Sequence, residues 1–316
     1  MNIVIGSRGS QLALWQANWV KDQLRAAGHE VSIEIIRTSG DKLQSYAPTE
    51  ALPASLAQIV AEAGTKGLFI KEIEEALLSG QVDLAVHSLK DLPTTLPQGL
   101  ILAAVPPRED ARDVLISAGA KTLEELPPRA PVGTSSPRRQ AQVRWLRPDL
   151  KLLPVRGNLT TRLRRLEGGD YAALVLAAAG IHRLGMRERI TAYFGLDQIC
   201  PAVGQGALAI EVRQGDAGLA RAVAPLDDPL THRAIRAERA LLLRLGGGCQ
   251  VPIAAHAILE AGKLQLLGVV AATDGSRLIR AAAAGAQEDP ESLGAAVAED
   301  LLKKGARELV EPLAEP

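Results

Sequence analysis

Residues 2–16 read NIVIGSRGSQLALWQ, and this stretch decides the fold. A short apolar run predicts a buried strand, the polar turn SRGS (7–10) follows, and apolar residues at helical spacing then predict a helix. The same order returns in APVGTSSPRRQAQVRWL (130–146). Because strands alternate with helices, the chain is predicted to be an α/β protein with mainly parallel sheets.

The element order of residues 2–92 matches that of residues 131–185, which predicts two similar doubly wound α/β domains. The apolar stretch ALAIEVR (207–213) predicts a strand that returns to the first sheet, whereas the residues after 227 predict a helix, three strands and a final helix. The predicted domains are domain 1 (1–105 with 206–226), domain 2 (106–205) and a small α+β domain 3 (227–316) with a three-stranded antiparallel sheet.

The composition narrows the class of protein. The 316 residues are 47% hydrophobic, without an apolar run long enough to span a membrane, and the N-terminus lacks the pattern of a signal peptide. Two cysteines do not make a disulfide framework. A cytoplasmic globular protein is therefore expected.

The overall charge is zero, but residues 129–189 contain twelve Arg, one Lys, two Asp and two Glu, a net charge of +9. Arginine binds carboxylates and phosphates with a planar fork of donors. Aromatic residues make up only 3%, and no nucleic-acid-binding motif is present. A small polyanionic ligand is favoured over nucleic acid, with a solvated basic surface as the plain alternative.

Two strand-to-helix turns are candidate anion sites, since free backbone N–H groups and the positive end of a helix dipole meet there. Ordinary helix capping is the alternative, but two arginines in the first turn of a helix oppose its dipole and favour a ligand. The candidate residues are Arg8 and Ser10 in the first turn, and Thr134, Ser135, Ser136, Arg138 and Arg139 in the second.

Further candidates lie where predicted strands end, because ligands of open parallel sheets bind beyond the carboxyl ends of the strands. Asp91 is the best acid/base candidate, with a surface salt bridge as the alternative and His87 expected to be a structural hydrogen-bonding residue. The other candidates are Ser88 and Lys90 beside Asp91, then Arg156, Gly157, Asn158 and Arg162, and Arg183 after the predicted strand 171–180.

Cys249 lies in the glycine-rich stretch RLGGGCQVP (244–252). Glycines leave room for a bulky group at the sulfur, so Cys249 is interpreted as a nucleophile or an attachment point, with a loop cysteine without a role as the alternative. No histidine or cysteine pair has the spacing of metal ligands, so no metal is expected.

Taken together, these residues resemble one family, hydroxymethylbilane synthase, also called porphobilinogen deaminase. The matching motifs run through all three predicted domains in the family's order: SRGSQLALWQA (7–17), HSLKDLP (87–93), VGTSSPRRQAQ (132–142), RGN with TRL (156–163), AAAGIHRLG (177–185), PAVGQGA (201–207) and GGCQVPIA (247–254).

The resemblance implies a transferase that joins four porphobilinogen molecules head to tail and releases ammonia. It implies a dipyrromethane cofactor attached through Cys249, Asp91 as the catalytic acid/base, and the cationic and hydroxyl candidates as ligands of acetate and propionate groups. It further implies two domains similar to type II periplasmic binding proteins, a monomer, and no membrane or nucleic-acid partner.

The chain departs from the family's pattern at Gly246, where an acidic residue is usual, and in the long segment 43–66, interpreted as a loop over the cleft. Two other classes of protein share part of this pattern. A solute-binding protein for a carboxylate ligand would share the two-domain architecture, and a thiol hydrolase would use Cys249 with a histidine. The missing signal peptide opposes the first, and the lack of a histidine in a convincing partner motif opposes the second.

Overall fold

A computed structural model describes residues 1–44, 68–246 and 251–310 of the chain. The chain divides into two compact units, each containing two stretches of sequence. Unit 1 consists of Met1–Arg108 and Ala207–His232, and unit 2 of Glu109–Gly206 and Arg233–Pro316.

The described strands form three sheets, with the order β2-β1-β3-β10-β4 in unit 1 and the orders β7-β6-β8-β5-β9 and β11-β12-β13 in unit 2. Their bounds are β1 (Asn2–Ser7), β2 (Glu30–Ile35), β3 (Leu84–Ser88), β4 (Leu100–Ala104), β5 (Asp113–Ser117), β6 (Pro131–Gly133), β7 (Lys151–Leu153), β8 (Ala173–Ala177), β9 (Ala192–Tyr193), β10 (Leu208–Arg213), β11 (Ile253–Glu260), β12 (Lys263–Ala271) and β13 (Leu278–Ala286).

The helices lie between and after these strands. Their bounds are α1 (Gln11–Ala26), α2 (Ser39–Gln44), α3 (Lys71–Leu78), α4 (Pro137–Leu146), α5 (Leu159–Glu167), α6 (Ala178–Arg183), α7 (Ala217–Val223), α8 (Pro229–Arg244), α9 (Pro290–Leu301) and α10 (Arg307–Val310). No described helix is long and apolar enough to cross a membrane.

Each five-stranded sheet combines parallel and antiparallel pairs. In unit 1, β2, β1 and β3 are parallel, whereas β10 runs antiparallel to β3 and β4. In unit 2, β7, β6 and β8 are parallel, whereas β5 runs antiparallel to β8 and β9. Among the described strands of each sheet, four of the five therefore run in one direction, and β10 or β5, the first strand after a crossing between the units, runs in the other. The expectation of mainly parallel sheets is confirmed.

Helix α1 shows how local sequence builds unit 1. Ser10 caps the helix, accepting a hydrogen bond from the Ala13 N–H at 3.3 Å. Val20 and Leu24, four positions apart, are buried in the same apolar cluster as strand residues of the sheet. The chain turns away after the helix at Gly28, whose φ of +86° favours glycine. The strand, turn and helix predicted from residues 2–28 are confirmed.

Two predicted strands are shorter than expected. The strand predicted over 31–40 ends at Ile35, and Ser39 begins helix α2. The strand predicted over 171–180 ends at Ala177, and the next six residues form α6. Alanine is the best helix former, so a run of small residues beyond the last strand pair continues as a helix. Arg183 is therefore the last residue of α6 and does not directly follow a strand.

The third sheet is antiparallel throughout and packs against α8 and α9. Gly268 of β12 allows this approach, because a Cβ at that position would lie 2.7 Å from Leu241 Cδ1 and 3.0 Å from Leu301 Cδ1. This sheet confirms the predicted C-terminal α+β region, and the two five-stranded sheets confirm the predicted α/β architecture. The division into three domains stays a prediction, since the second and third sheets lie in one compact unit.

Candidate active site

Asp91 lies in a short 3₁₀ turn, Leu89–Asp91, that directly follows β3. Leu89 and Leu92 are buried and anchor the turn, and the Leu92 N–H donates to the Leu89 carbonyl at 3.1 Å. Between these anchors, Lys90 and Asp91 are only half-buried. The apolar residues of LKDL thus fix the backbone, while its two charged residues keep access to solvent.

A cavity of unit 1 brings together four of the predicted residues, Arg8, Ser10, Ser88 and Asp91. They come from the turn before α1 and from the end of β3 and the turn that follows it. The Ser88 hydroxyl accepts a hydrogen bond from Gln16 Nε2 at 2.9 Å, which fixes its direction. The cavity therefore combines a guanidinium, two hydroxyls and a carboxylate.

An internal carboxylate orients Arg8. Its Nε and one terminal nitrogen donate to Asp41 Oδ1 at 3.1 Å and 2.5 Å, and its guanidinium carbon lies 4.2 Å from the centre of the Phe69 ring. Burial opposes the charge of Asp41, yet the hydrogen bonds from Arg8 and Thr38 keep the pKa of Asp41 below its usual value. Arg8 thus already binds a carboxylate with its fork of donors. Asp41 closes the polar run TSGD (38–41) and was not among the residues predicted from the sequence.

The second turn forms as predicted, but its hydroxyls are used within the protein. Ser135 Oγ donates to the Val155 carbonyl at 2.8 Å and accepts from the Val155 N–H at 2.9 Å. Ser136 caps α4 by accepting from the Arg139 N–H at 3.4 Å, and Pro137 takes the first helical position. Thr134 is buried. Ser136 thus caps the helix and Ser135 ties the turn to Val155, and the binding of a ligand by these hydroxyls stays a prediction.

Arg138 and Arg139 are both buried against Asp113, which sequence reasoning missed. Arg138 lies 2.7 Å from Asp113 Oδ2, and Arg139 Nε donates to Asp113 Oδ1 at 2.8 Å. Gln205 joins the network by donating to Asp113 Oδ1 at 2.9 Å and accepting from Arg139 at 3.1 Å. Burial alone would raise the pKa of Asp113, but the charges of the two arginines hold it at about 2. Asp113 thus offsets part of the charge that two arginines place near the start of a helix, and their binding of a ligand stays a prediction.

The remaining candidates of unit 2 differ in exposure. Arg156 and Asn158 are exposed, and Asn158 caps α5 by accepting from the Thr161 N–H at 2.9 Å. Arg162 Nε donates to the Gly157 carbonyl at 2.9 Å. Arg183 is buried and donates to the Gly206 carbonyl at 2.7 Å, and burial lowers its pKa to about 10. Arg156 and Arg162 are thus the unit 2 arginines of the predicted set that retain access to solvent.

Cys249, Gly247 and Gly248 lie outside the described residues, as does most of the segment 43–66. Gly246 is described and has a φ of +65°, a conformation that side chains with a Cβ rarely adopt. This backbone explains glycine where the family usually has an acidic residue. Among the described residues, no group of three or more histidine, cysteine, aspartate or glutamate side chains could hold a metal ion.

Comparison with known proteins assigns this arrangement to a class, the dipyrromethane-dependent transferases of tetrapyrrole biosynthesis. Residues 3–221 match the model of the porphobilinogen deaminase dipyrromethane cofactor-binding domain, and residues 232–303 match that of the porphobilinogen deaminase C-terminal domain. The chain belongs to the porphobilinogen deaminase family. Its activity is hydroxymethylbilane synthesis, in which four porphobilinogen molecules are condensed on a dipyrromethane primer.

Relatives match over almost their full length. A porphobilinogen deaminase of Roseiflexus castenholzii is 50% identical over 311 residues, covering 98% of each chain. One from Pelobacter propionicus is 48% identical over 309 residues, covering 97% of this chain and 96% of the relative. The resemblance stated from the motifs is therefore confirmed.

Solved structures of periplasmic binding proteins are more distant. A periplasmic substrate-binding protein of an ABC transporter from Coxiella burnetii is 15% identical, covers 72% of this chain and 92% of its own, and has a TM-score of 0.43. A nutrient-binding protein from Burkholderia cenocepacia bound to methionine is 14% identical, covers 70% and 89%, and has a TM-score of 0.42. At these scores the likeness gives the alternative of a solute-binding protein no support.

Proposed function

We propose that Asp91 is the catalytic acid/base of hydroxymethylbilane synthesis and that the unit 1 cavity is part of the reaction site. The observation that carries this proposal is the meeting of Asp91 with Arg8, Ser10 and Ser88 around one cavity. A carboxylate in a partly buried position can exchange protons with a departing amino group or with a pyrrole carbon. The neighbouring guanidinium and hydroxyls supply donors for substrate carboxylates.

The residues of this cavity fit a dipyrromethane group, which carries carboxylate side chains and pyrrole N–H donors. Arg8 would bind a carboxylate in the geometry that Asp41 now shows, and the Asp91 carboxylate would accept hydrogen bonds from pyrrole N–H groups. When bound, the cofactor supplies the pyrrole carbon to which the first substrate is joined. We assign its attachment to Cys249.

In unit 2, Arg156 and Arg162 are proposed to bind acetate and propionate groups. Arg138, Arg139 and Arg183 are buried and already bonded within the protein, so we propose that they act mainly through the positive potential of this region. Asp113 neutralises only one of the two charges of Arg138 and Arg139, which leaves a net positive charge. A monomer in the cytoplasm is the form of the enzyme that we propose.

The test replaces Asp91 by Asn, which keeps the shape and removes the acid/base group. We expect turnover of porphobilinogen to fall by about 10²- to 10⁴-fold, while the intact mass still shows the two porphobilinogen units of the cofactor, less their ammonia. Asp170→Asn serves as the matched control, because Asp170 is an exposed carboxylate paired with Arg165. Near-normal turnover of the Asp91 variant would refute the proposal.

A further inference from the structure

Behind the Asp91 cavity, a carboxylate and an imidazole form a buried pair that the proposed mechanism does not use. His87 lines the cavity, and its Nε2 lies 3.2 Å from Glu211 Oε2. The side chains of His87 and Glu211 are 5% and 0% exposed. A fully buried carboxylate is costly unless a cation or hydrogen-bond donors satisfy it, and here the imidazole is the partner that the structure provides. Glu211 therefore fixes the direction of the His87 ring in the cavity wall.

A second carboxylate, Glu74, belongs to α3, the helix that packs against the strands of His87 and Glu211. Burial is the main cause that raises the pKa of Glu74 to about 7, the charge of Glu211 raises it further, and the charge of His87 opposes the rise. Within the described part of the chain, neither Glu74 Oε1 nor Glu211 Oε1 has a hydrogen-bond partner. Two unsatisfied carboxylate oxygens therefore share one buried region with a single imidazole.

The elements packed on α3 leave few other charges that could satisfy these groups. Strands β1 and β4 contain no ionisable side chains, and β3 contributes His87. Strand β10 contributes Glu211 and also Arg213, which donates to the carbonyls of Leu77 and Val82. On α3 itself, Lys71 and Glu75 are exposed, and Glu72 accepts from Ser39 at 2.6 Å and 2.8 Å.

We propose that Glu74, Glu211 and His87 form one buried proton-binding cluster that positions His87 and sets the charge behind the Asp91 cavity. When Glu74 loses its proton, the cluster gains one negative charge. This inference rests on the proposed role of the cavity in binding the carboxylates of porphobilinogen, which that extra charge would repel.

The sign of the pH dependence follows from Glu74. Folding raises its pKa from the ordinary 4.5 to about 7, so folded Glu74 keeps a proton that the unfolded chain has lost between these values. The stability that this proton provides is present below pH 4.5 and is lost as the pH rises to about 7. A neutral side chain at position 74 does not titrate, so a variant with glutamine there does not lose this stability as the pH rises.

The first experiment compares the melting temperatures of Glu74→Gln and wild type between pH 5 and pH 8. We expect the variant to gain about 2–4 °C over wild type at pH 8 relative to its position at pH 5. Glu75→Gln, an exposed neighbour on the same helix, is the matched control and should show no pH-dependent gain. Equal pH profiles for both variants would overturn the cluster.

The second experiment measures KM for porphobilinogen over the same pH range, where neither the carboxylates nor the aminomethyl group of the substrate titrates. Wild-type KM should rise about threefold through neutrality as the negative charge appears, whereas Glu74→Gln should show a flat profile. If KM of Glu74→Gln rises with pH as it does in wild type, the charge of Glu74 does not affect binding in the cavity.

A third variant, Glu211→Gln on β10, tests whether Glu211 and Glu74 are electrostatically coupled or whether a substitution in the cluster only damages the structure. In Glu211→Gln the charge that raises the pKa of Glu74 is gone, so the midpoint of the KM rise should move to lower pH; an unmoved midpoint contradicts the coupling. Asp91→Asn distinguishes the two proposals. If the Asp91 variant turns over porphobilinogen at the wild-type rate, the reaction site is wrongly placed. If Glu74→Gln shows the same pH dependence of KM as wild type, only the proposal of the cluster is refuted.

Discussion

Arg138, Arg139 and Arg8 show how the role of an arginine depends on the partner that the fold brings to it. Each of the three already contacts an aspartate, but Arg8 borders the Asp91 cavity whereas Arg138 and Arg139 are buried against Asp113. A carboxylate ligand could displace Asp41 from Arg8, because water can hydrate the Asp41 carboxylate once it is released. The same exchange at Asp113 would leave a charge in a buried region, which is far more costly.

Asp113→Asn tests whether the buried arginines depend on this carboxylate. Removing one partner of a buried pair leaves charges without compensation, so we expect a loss of about 3 kcal/mol in the free energy of unfolding of unit 2. Because the two arginines hold the pKa of Asp113 at about 2, its contribution is complete above pH 3.8 and is lost as the pH falls towards 2.

The measurement is urea denaturation at pH 7 and at pH 2.5. Asp149→Asn is the matched control, since Asp149 pairs with Arg147 at the surface and its loss should hardly move the midpoint. If both variants lose stability equally at pH 7, the buried network has no special part in the stability of unit 2.

Sequence patterns predict where a turn or a helix begins better than they predict which side chains become charge partners. The positions of Ser136 and Pro137 at the start of α4 follow from local capping preferences. The burial of Arg138 does not, because Asp113 comes from β5 and is 25 positions away in the sequence. The same limit applies to Glu211, which reaches His87 only through the pairing of β10 with β3. Local rules predict turns and caps, whereas charge partners depend on sheet topology.

At the scale of elements, the start of α5 combines a turn and a cap. Gly157 has a φ of +97°, and a Cβ there would lie 2.8 Å from Thr161 Cγ2. The Thr161 N–H and hydroxyl both donate to Asn158 Oδ1 at 2.9 Å. The tight turn and the cap together fix where α5 begins, with Arg156 just before its N-terminal end and Arg162 in its first turn.

Asn158→Ala removes the cap and should cost about 1 kcal/mol. Asn158→Asp keeps an oxygen acceptor at the same place and should restore most of that loss, because aspartate caps helices as well as asparagine does. Thermal unfolding of the three proteins measures the effect. An aspartate variant no more stable than the alanine variant would show that capping is not what Asn158 contributes.

At the scale of the whole molecule, Glu238 shows why the second and third sheets share one unit. This residue of α8 is fully buried, and its carboxylate accepts from the Gly204 N–H at 2.7 Å and from the Ala257 N–H at 2.8 Å. One side chain thus connects α8, the first strand of the third sheet and the loop that precedes β10. The family domains matched at 3–221 and 232–303 are divisions of the sequence. The hydrogen bonds of Glu238 join residues from both sides of that division within one compact unit.

The burial of Cys200 means that the number of reactive thiols in the native protein depends on Cys249 alone. Burial raises the pKa of its thiol to about 12, so it is almost entirely protonated, and the chain contains only one other cysteine, Cys249. If the cofactor is attached where we propose, a thiol reagent should find no reactive group in the native holoenzyme and one after denaturation. Chain produced without the cofactor should show one reactive thiol when native and two when denatured, and a native holoenzyme that reacts would place the attachment elsewhere. A colorimetric thiol assay could then report the loaded fraction of any preparation, without a measurement of turnover.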